Sequence, residues 1–252
     1  MPLLMEGKAG LVTGAAGGIG RGVALELARE GASVLVSDLE RSRAEGEETV
    51  SLIVREGGKA EFVPSDVTSA ADAEALVDRV IGVFGRLDYA VNNAGVATHK
   101  RTAEFSEEEF DWIVGVNLKG AFLGMRSQIP RMVEQGGGAI VNVGSVASLC
   151  AVRDIGVYTA SKHGILGLTK NAAMEYGEQG VRVNCVCPNA IRTPLMDSSP
   201  PDFIEELIRP QAIKRFGEPE EVGFAVAYLC SERAAFITGA ALPIDGGYLT
   251  GA

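Results

Sequence analysis

Short apolar runs rich in β-branched residues alternate with longer segments of helical period along the whole chain. This alternation limits the fold more than any other feature, because it is typical of buried parallel strands covered by helices on both faces. The predicted strands are 10–13, 33–37, 60–64, 87–91, 139–143, 181–186 and 241–244. Together they predict an α/β fold, a doubly wound parallel sheet of about seven strands with about six intervening helices.

The length of the chain fits one such domain. Its 252 residues are 46% hydrophobic and 22% charged, which suffices for a sizeable core and a solvated surface. No repeat, composition shift or low-complexity linker divides it, so we expect residues 1–252 to form a single domain. The stretch 188–201 is rich in Pro and Ser and follows a predicted strand. We expect it to be irregular and to belong to a substrate lid around 189–215.

The charge balance argues against several classes of partner. A net charge of −10 disfavours binding to a nucleic-acid backbone or an anionic membrane surface. No apolar run approaches the ~20 residues that span a bilayer, and the first ten residues are too interrupted for a signal peptide. The four cysteines contain no CxxC pair and are expected to be reduced. We therefore expect a cytoplasmic protein that binds neither nucleic acid nor membrane.

The first predicted strand runs into a glycine-rich turn and then into an amphipathic segment. The turn reads Gly14-Ala15-Ala16-Gly17-Gly18-Ile19-Gly20, with spacing G-x-x-x-G-x-G. Glycines let backbone amides approach a pyrophosphate, which the unpaired N–H groups at the start of a helix stabilise. In a chain with 32 glycines such a cluster can also be a structural turn. The order strand, turn, helix favours a dinucleotide site.

A carboxylate at the end of the second predicted strand indicates which dinucleotide binds. Asp38 stands where such sheets place the acid that accepts bonds from the adenosine ribose hydroxyls, although it could instead cap the following helix. An Asp there also repels a 2′-phosphate, since two unit charges 4 Å apart cost about 4 kcal/mol at an effective dielectric near 20. NAD is therefore predicted over NADP. Arg41 and Arg43 lie just downstream and could soften that preference.

Three side chains are spaced for acid–base chemistry on an alcohol. Tyr158 and Lys162 are i and i+4, so they share one helical face. A cation that close favours the phenolate, which alcohol oxidation needs as its base. Ser145 follows a predicted strand and would hold the substrate oxygen. Chance gives this spacing only about 0.01 times in such a chain. The pattern therefore predicts an oxidoreductase for a secondary alcohol or ketone.

These motifs, taken together, resemble the short-chain dehydrogenase/reductase family. In chain order they are Thr13-Gly14-x-x-x-Gly18-Ile19-Gly20, Asn92-Asn93-Ala94-Gly95, Asn117, Ser145, Tyr158, Lys162 and Ile244-Asp245-Gly246-Gly247. The resemblance covers essentially the whole chain. It implies a single-domain Rossmann-type fold, usually a homotetramer, and hydride transfer between NAD(H) and a carbinol carbon.

The resemblance also implies roles for individual residues. The implied catalytic set is Asn117, Ser145, Tyr158 and Lys162, in which Asn117 holds a water against the lysine and completes a proton relay. The residues implied in dinucleotide binding are Gly14, Gly17, Gly18, Ile19, Gly20, Asp38, Leu39, Asp66, Val67, Asn93, Ala94, Gly95, Tyr158, Lys162, Pro188, Ile191 and Thr193.

The chain departs from the family pattern at one turn, and its histidines and its tryptophan are given no role in the site. Pro188-Asn189 stands where the family commonly has Pro-Gly; because Asn tolerates left-handed backbone geometry, we expect the turn to survive. No metal is expected, since His99 and His163 lack ligand spacing and are interpreted as surface or supporting residues. Trp112 is interpreted as a core or subunit-contact residue.

The residues expected to wall the substrate are mostly apolar: Val146, Ala147, Leu149, Cys150, Val152, Ile155, Ile191, Leu195, Met196, Phe203 and Leu207. They favour a small, uncharged, moderately hydrophobic alcohol or ketone, although Arg153 or Arg192 could anchor a carboxylate. The alternative enzyme is a 3-oxoacyl-thioester reductase of fatty-acid or polyketide type. A carrier-protein substrate would need a basic docking patch, whereas Glu134, expected near the entrance, is acidic. A non-catalytic dinucleotide sensor is the alternative of another class, which the intact proton-relay set disfavours.

Overall fold

Seven parallel strands form the sheet at the centre of the computed structural model, which describes residues 3–250. The strands are β1 (Ala9–Thr13), β2 (Ser33–Asp38), β3 (Lys59–Pro64), β4 (Tyr89–Asn92), β5 (Gly138–Val143), β6 (Val181–Pro188) and β7 (Ala241–Ile244). Their order in the sheet is β3-β2-β1-β4-β5-β6-β7, and every pairing is parallel. The predicted fold class is confirmed, and the predicted strand ends differ from these by at most two residues. The predicted domain 1–252 extends beyond the described residues at both ends.

Nine α-helices connect and follow the strands within the described residues. They are α1 (Gly18–Arg29), α2 (Arg43–Arg55), α3 (Ala70–Phe84), α4 (Glu107–Val114), α5 (Gly120–Glu134), α6 (Gly156–Tyr176), α7 (Pro194–Asp197), α8 (Pro201–Ile208) and α9 (Pro219–Cys230). A π-helical turn, Gly115–Lys119, joins α4 to α5. Within residues 3–250, no helix has the length and apolarity needed to cross a bilayer.

The five inner strands are buried on both faces because helices cover both sides of the sheet, whereas the edge strands β3 and β7 are only partly buried. On β1, Val12 packs into the core formed with α1, α2 and α9, whereas its neighbour Leu11 packs into the core formed with α3, α5 and α6. The same alternation occurs on β2, where Val34 and Val36 face the first core and Leu35 faces the second. This two-sided burial explains why the strands are continuous apolar runs rather than alternating ones.

The sheet changes direction between β1 and β4. From β1 the chain builds outward through β2 and β3, and from β4 it builds the other way through β5, β6 and β7. In open sheets of this kind, ligands bind in the crevice beyond the carboxyl ends of the strands at this switch point. The crevice here opens between Gly14, after β1, and Asn93, after β4.

The stretch 188–201 is more regular than the sequence predicts. Pro188 still belongs to β6, and both α7 and α8 lie within the expected lid 189–215. Thr193 caps α7 by accepting a bond from Met196 N at 3.2 Å, and both α7 and α8 carry Pro in the first turn. Pro is favoured at the first helical position because its missing N–H would be unpaired there anyway. The predicted segment is therefore irregular except at Pro188, at the four residues of α7 and at the first residue of α8, because Pro starts both helices.

Candidate active site

A cavity of about 590 Å³ lies beyond the carboxyl ends of the strands, at the switch point. Most of the residues predicted from the sequence line it. These are Gly14, Gly17, Gly18, Ile19, Asp38, Leu39, Asp66, Val67, Asn93, Ala94, Gly95, Ser145, Tyr158, Lys162, Pro188, Ile191 and Thr193. Gly20 and Asn117, which were also predicted, are not among the lining residues.

The glycine-rich turn is held by main-chain contacts. Gly14 and Gly18 have positive φ values of 64° and 52°, which only glycine adopts readily. Asn93 Nδ2 donates to Thr13 O at 2.9 Å and to Gly14 O at 3.0 Å, which ties the turn to the end of β4. A Cβ on Gly20 would lie 2.1 Å from Gly14 O. Gly20 therefore allows α1 to start directly against the turn.

The start of α1 forms one end of the cavity. Gly17 precedes the helix, no side chain caps it, and its first turn carries no acidic residue. A Cβ on Gly17 would meet nothing within 4 Å, so the space beside it is open. Unpaired N–H groups and the positive end of a helix dipole attract anions. This end of the cavity has the shape and the donors that suit the diphosphate of a dinucleotide.

Asp38 is fixed against the same turn. Its Oδ2 accepts a bond from Ala16 N at 3.1 Å, and its Oδ1 accepts one from Leu39 N at 2.8 Å. The 3₁₀ turn that follows has Leu39 at its cap position and no side-chain cap bond, so Asp38 does not cap it. The carboxylate therefore stabilises the turn and lines the cavity, and it does not cap the next helix.

The two arginines after Asp38 have different surroundings. Arg43 pairs with Glu40 at 2.7 Å and Glu47 at 3.3 Å, and its guanidinium lies over the Phe62 ring at 5.4 Å. These contacts engage it on the outer surface. Arg41 is exposed and lines the cavity. Of the two, Arg41 is therefore the one that could oppose Asp38 at the ribose.

Ser145, Tyr158 and Lys162 come together at the other end of the cavity. Lys162 is 3% exposed, and its Nζ donates to Val143 O at 2.8 Å. The same Nζ lies 5.4 Å from the centroid of the Tyr158 ring. Ser145 begins the turn after β5, where its Oγ accepts a bond from Ala147 N at 3.2 Å. A hydroxyl, a phenol and an ammonium thus share one small space.

Burial, rather than the lysine charge, has the largest effect on the ionisation of this pair. Burial raises the pKa of Tyr158 to about 12, and a hydrogen bond with Ser145 partly opposes that rise. Burial lowers the pKa of Lys162 to about 8. Desolvation disfavours both charged forms, which moves an acid up and a base down. The expectation that the nearby cation favours the phenolate is therefore corrected, because burial holds the pKa of Tyr158 above its ordinary value.

Asn117 lies behind the cavity wall, in the π-helical turn. It is 1% exposed, its Oδ1 accepts from Val96 N at 2.8 Å, and its Nδ2 donates to Val96 O at 3.0 Å and Ser161 Oγ at 3.1 Å. A Cβ on Gly95 would lie 3.3 Å from Asn117 Oδ1 and 3.5 Å from Lys162 Nζ. The side chain is fully engaged by protein groups. A water held for the lysine would therefore be held by the main chain of Asn117.

Comparison with known proteins supports one family. A family model described as enoyl-(acyl carrier protein) reductase matches residues 14–249. The chain is 42% identical to a cyclohexanol dehydrogenase from an Acinetobacter strain over 243 residues, 96% of this chain and 94% of the relative. It is 36% identical to a 3-oxoacyl-[acyl-carrier-protein] reductase of Thermotoga maritima over 96% of this chain and 98% of the relative.

The crystal structure of a levodione reductase superposes with a TM-score of 0.93 at 35% identity, covering 98% of this chain and 100% of that one. The chain belongs to the short-chain dehydrogenase/reductase family. Membership implies an oxidoreductase that uses a nicotinamide dinucleotide. Its relatives include enzymes named for alcohols and ketones.

The substrate end of this short-chain dehydrogenase is mostly apolar, as predicted. The predicted wall residues that line the cavity are Val146, Val152, Ile155, Ile191, Leu195, Met196, Phe203 and Leu207. Ala147, Leu149 and Cys150 do not line it. Arg153 is not in the wall either, and Arg192 is exposed, where it pairs with Glu218 at 3.2 Å.

Several lining residues were missed by sequence reasoning, and two of them carry large rings. His99 lies in the loop after β4 and Trp112 lies on α4, and both face the cavity. Trp112 keeps 46% of its surface exposed, so it is not a core residue. No spacing in the sequence marks either residue, because each reaches the cavity only through the packing of its element against α6 and the lid.

Asn189 preserves the turn after β6, although not in the way predicted. Within residues 3–250, Asp154 is the only non-glycine residue with a positive φ, so Asn189 does not adopt left-handed geometry. Its Nδ2 instead donates to Leu207 O at 3.1 Å and to Gln211 Oε1 at 3.0 Å. The side chain that replaces glycine therefore ties the end of β6 to the lid.

Glu134 lies at the opposite edge of the sheet from the cavity. It ends α5, and the chain turns from there into the start of β5 at Gly138. A helix that connects parallel strands runs back against them, so its carboxyl end lies at the amino edge of the sheet. The expectation that Glu134 stands near the entrance was wrong. Its charge is therefore no argument against a carrier protein.

Proposed function

We propose that this enzyme transfers hydride between NAD(H) and a small, mostly apolar secondary alcohol or ketone, with Tyr158 as acid–base group. The observation that carries the proposal is the meeting of Ser145, Tyr158 and Lys162 in the apolar end of a cavity. The opposite end of that cavity has the uncapped start of α1 and the Asp38 carboxylate. One cavity thus offers a place for a dinucleotide beside a place for an alcohol.

In the oxidation direction, Ser145 Oγ holds the substrate oxygen and Tyr158 Oη takes the hydroxyl proton. Thr193 and the uncapped start of α1 would hold a nicotinamide dinucleotide, which would supply the hydride acceptor for the carbinol carbon and a positive charge. A positive charge favours the phenolate, which offsets the rise in the Tyr158 pKa that burial causes. Lys162, held by Val143 O, contributes its own charge from the other side and passes the proton on toward the Asn117 turn.

The preference for NAD over NADP rests on Asp38. Its carboxylate is fixed at the carboxyl end of β2 by two main-chain donors, so it cannot easily move away from a 2′-phosphate. Arg41 supplies the opposing charge from an exposed position. An exposed charge is weakly effective in water, because solvent screens it. We therefore expect the preference for NAD to persist.

A panel of secondary alcohols tests the proposal. Cyclohexanol, 2-butanol and a benzylic secondary alcohol are supplied with NAD or NADP, and the absorbance of the reduced nicotinamide is followed. We expect turnover of the alicyclic alcohol with NAD, and none with Tyr158→Phe as the matched control.

A 3-oxoacyl-thioester reductase is the second candidate, since a relative carries that name. Turnover confined to acetoacetyl-coenzyme A and NADPH would favour it over the first candidate. Tight NAD binding without any turnover would favour the dinucleotide sensor.

We also propose that the enzyme is a cytoplasmic homotetramer of single-domain subunits. Large apolar side chains stand exposed on α9, β7 and α6, including Phe224 (57%), Tyr228 (39%), Leu242 (38%) and Met174 (84%). Phe224 and Tyr228 are i and i+4 on α9 and so share one exposed face, and exposed apolar patches mark protein contacts. Two small residues of α6 contribute less to such an interface, because Gly164 packs against Leu118 of its own chain and Ala172 is buried in the core. Sedimentation velocity at micromolar concentration decides the state, and a monomer would refute it.

A further inference from the structure

His99 connects two walls of the substrate end, the loop after β4 and the lid, which are far apart in the sequence. Its Nε2 lies 3.2 Å from Ser199 Oγ, between α7 and α8 of the lid. Its ring also packs edge-on against Phe203 of α8, with centroids 4.3 Å apart and planes at 72°. Edge-to-face packing of this kind is attractive and depends on orientation. His99 therefore contacts the lid through a polar and an aromatic interaction.

The loop that carries His99 is anchored beside the catalytic helix. The next residue, Lys100, donates its N–H to Asp154 O at 2.7 Å and forms a parallel bridge with Ile155. Ile155 is buried, lines the cavity and immediately precedes α6, which carries Tyr158. The position of His99 is thus set relative to the phenol. A lid residue that contacts His99 is therefore positioned relative to Ser145, Tyr158 and Lys162.

The other hydrogen bonds between the lid and the rest of residues 3–250 lie near the two ends of the lid, at 189–192 and 213–215. Gly217 N donates to Ala190 O and Arg192 N donates to Gly217 O, both at 2.9 Å, which closes the two ends of the lid on each other. Asn189 adds the bonds to Leu207 and Gln211 already described. Ser199 and Phe203 lie farther from these ties along the chain. Their contacts with His99 hold the outer part of the lid.

The hydrogen-bond pattern indicates the neutral form of His99 with its proton on Nε2. Ser199 Oγ has one hydrogen, and Leu195 O accepts it at 3.1 Å. The Oγ is then an acceptor, so His99 Nε2 must be the donor. His99 Nδ1 is buried and has no hydrogen-bond partner among residues 3–250, which suits a lone pair better than an N–H. A second proton would therefore be placed on a nitrogen without an acceptor.

We propose that His99 is a positioning residue that selects the substrate by fastening the lid. Its bond to Ser199 and its contact with Phe203 set how closely Phe203 and Leu207, two lid residues of the cavity wall, approach the alcohol. This inference rests on the proposed alcohol dehydrogenase activity. His99 does not take part in proton transfer. It determines the size and shape of the space that the substrate fills.

The fastening is sensitive to pH. Burial lowers the pKa of His99, and the nearby Asp154 carboxylate partly opposes that effect, whereas the lid offers only the neutral Ser199 and Phe203 to the ring. A lowered pKa in the closed state means that the neutral ring is the form that fits. The fastening is therefore complete above the ordinary histidine pKa of about 6.5 and weakens as the pH falls below it.

Two variants and a matched control test the proposal. Ser199→Ala removes only the bond, and His99→Phe removes the bond but keeps an aromatic ring beside Phe203. Ser198→Ala is the control, because Ser198 Oγ also donates to Leu195 O but does not bond to His99. We expect the KM for cyclohexanol to rise about three- to tenfold in both variants, the size of one lost hydrogen bond. The Kd for NAD and the kcat should stay within about twofold of wild type. The rise of the wild-type KM below pH 6.5 should be absent from His99→Phe.

A second measurement does not depend on turnover. Hydrogen–deuterium exchange of the α8 amides should be faster in Ser199→Ala and His99→Phe than in wild type and Ser198→Ala, and in wild type it should accelerate below pH 6.5 after correction for the intrinsic rate. Faster exchange without turnover of any alcohol would overturn the proposed function and leave the fastening supported. Unchanged exchange in both variants, or an equal KM rise in Ser198→Ala, would overturn the fastening itself.

Discussion

The two ends of the cavity are built in different ways. At the dinucleotide end, the glycine turn is held by main-chain groups, with Asn93 bonded to Thr13 O and Gly14 O and with Gly20 against Gly14 O. At the substrate end, the lid is held by individual side chains, chiefly His99 on Ser199. The first arrangement accepts almost no change in side-chain volume. The second can be altered one residue at a time.

This difference indicates how one fold can keep its coenzyme while its substrate varies. A change in the glycine turn disturbs the start of α1 and the join between β1 and β4, so it affects folding as well as binding. A change in the lid alters only a few contacts on the surface of a rigid scaffold, where binding residues are commonly found. We expect substitutions at the two ends to differ in kind. Substitutions at both ends of the cavity test that expectation.

Tyr158→Phe should give the largest effect, and it should fall on chemistry alone. The variant keeps the ring but removes the hydroxyl that exchanges the proton, and acid–base participation is worth about 10² to 10⁴ in rate. We expect kcat to fall by at least that factor, with the Kd for NAD within about twofold of wild type. Stopped-flow hydride transfer and a fluorescence titration with NAD measure the two quantities.

The pH dependence sharpens the same test. Because the pKa of Tyr158 stands at about 12 through burial, the phenolate fraction grows as the pH rises. Alcohol oxidation should therefore accelerate with pH, whereas ketone reduction, which needs the phenol, should not. Lys162→Ala removes a nearby positive charge, so its oxidation limb should lie at higher pH than that of wild type. A limb that stays in place would show that Lys162 does not act on the phenol.

Asp38→Ala should shift the choice of coenzyme. Removing the carboxylate abolishes a repulsion of up to about 4 kcal/mol against a 2′-phosphate, so the ratio of kcat/KM for NAD over NADP should fall by up to about 10³. Asp66→Ala, which alters another carboxylate of the same cavity, is the control and should change the ratio much less. A wild-type enzyme that uses both coenzymes equally would contradict the assignment.

Gly20→Ala should lower stability, whereas Gly17→Ala should not. The added Cβ at position 20 would lie 2.1 Å from Gly14 O, but at position 17 it would meet nothing within 4 Å. Overpacking typically costs about 1–3 kcal/mol, and each kcal/mol lowers the Tm of a chain of this size by about 2–4 °C. Differential scanning calorimetry compares the variants. Equal melting temperatures would show that the turn relaxes more freely than its contacts suggest.

Asn189→Gly should give the smallest effect, confined to the substrate. The variant loses the bonds to Leu207 O and Gln211 Oε1 but keeps the main-chain turn. We expect the KM for cyclohexanol to rise about two- to fivefold, with little change in Tm or in the Kd for NAD. A large loss of NAD affinity instead would mean that the two ends of the cavity are not independent.

The sequence predicts what depends on local spacing. Three features depend only on residues that are close together in the sequence. They are the strand pattern, the glycines of the turn, and the i, i+4 pair of Tyr158 and Lys162. Residues whose place depends on distant packing were missed or misplaced. His99 reaches the cavity only because Lys100 bridges to Ile155, and Glu134 lies far from it only because α5 runs back against the strands.

The ionisation of the catalytic pair was likewise beyond local reasoning. Spacing shows that Lys162 is near Tyr158, but not that the lysine is only 3% exposed, nor that its Nζ donates to Val143 O at 2.8 Å. What decides the direction of both shifts is burial, which raises the pKa of Tyr158 and lowers that of Lys162. Burial is a property of the assembled fold rather than of any short segment.

The close packing of α1 against α9 couples the two ends of the cavity, so that the order in which they are filled is fixed. A Cβ on Gly22 would lie 2.5 Å from Pro219, and a Cβ on Gly18 would lie 3.2 Å from Thr193. The helix that faces the diphosphate therefore also supports both the first turn of the lid and the chain just beyond it. A coenzyme that settles on α1 completes the surface on which the lid rests. We expect a compulsory order of binding, in which the coenzyme enters first and leaves last.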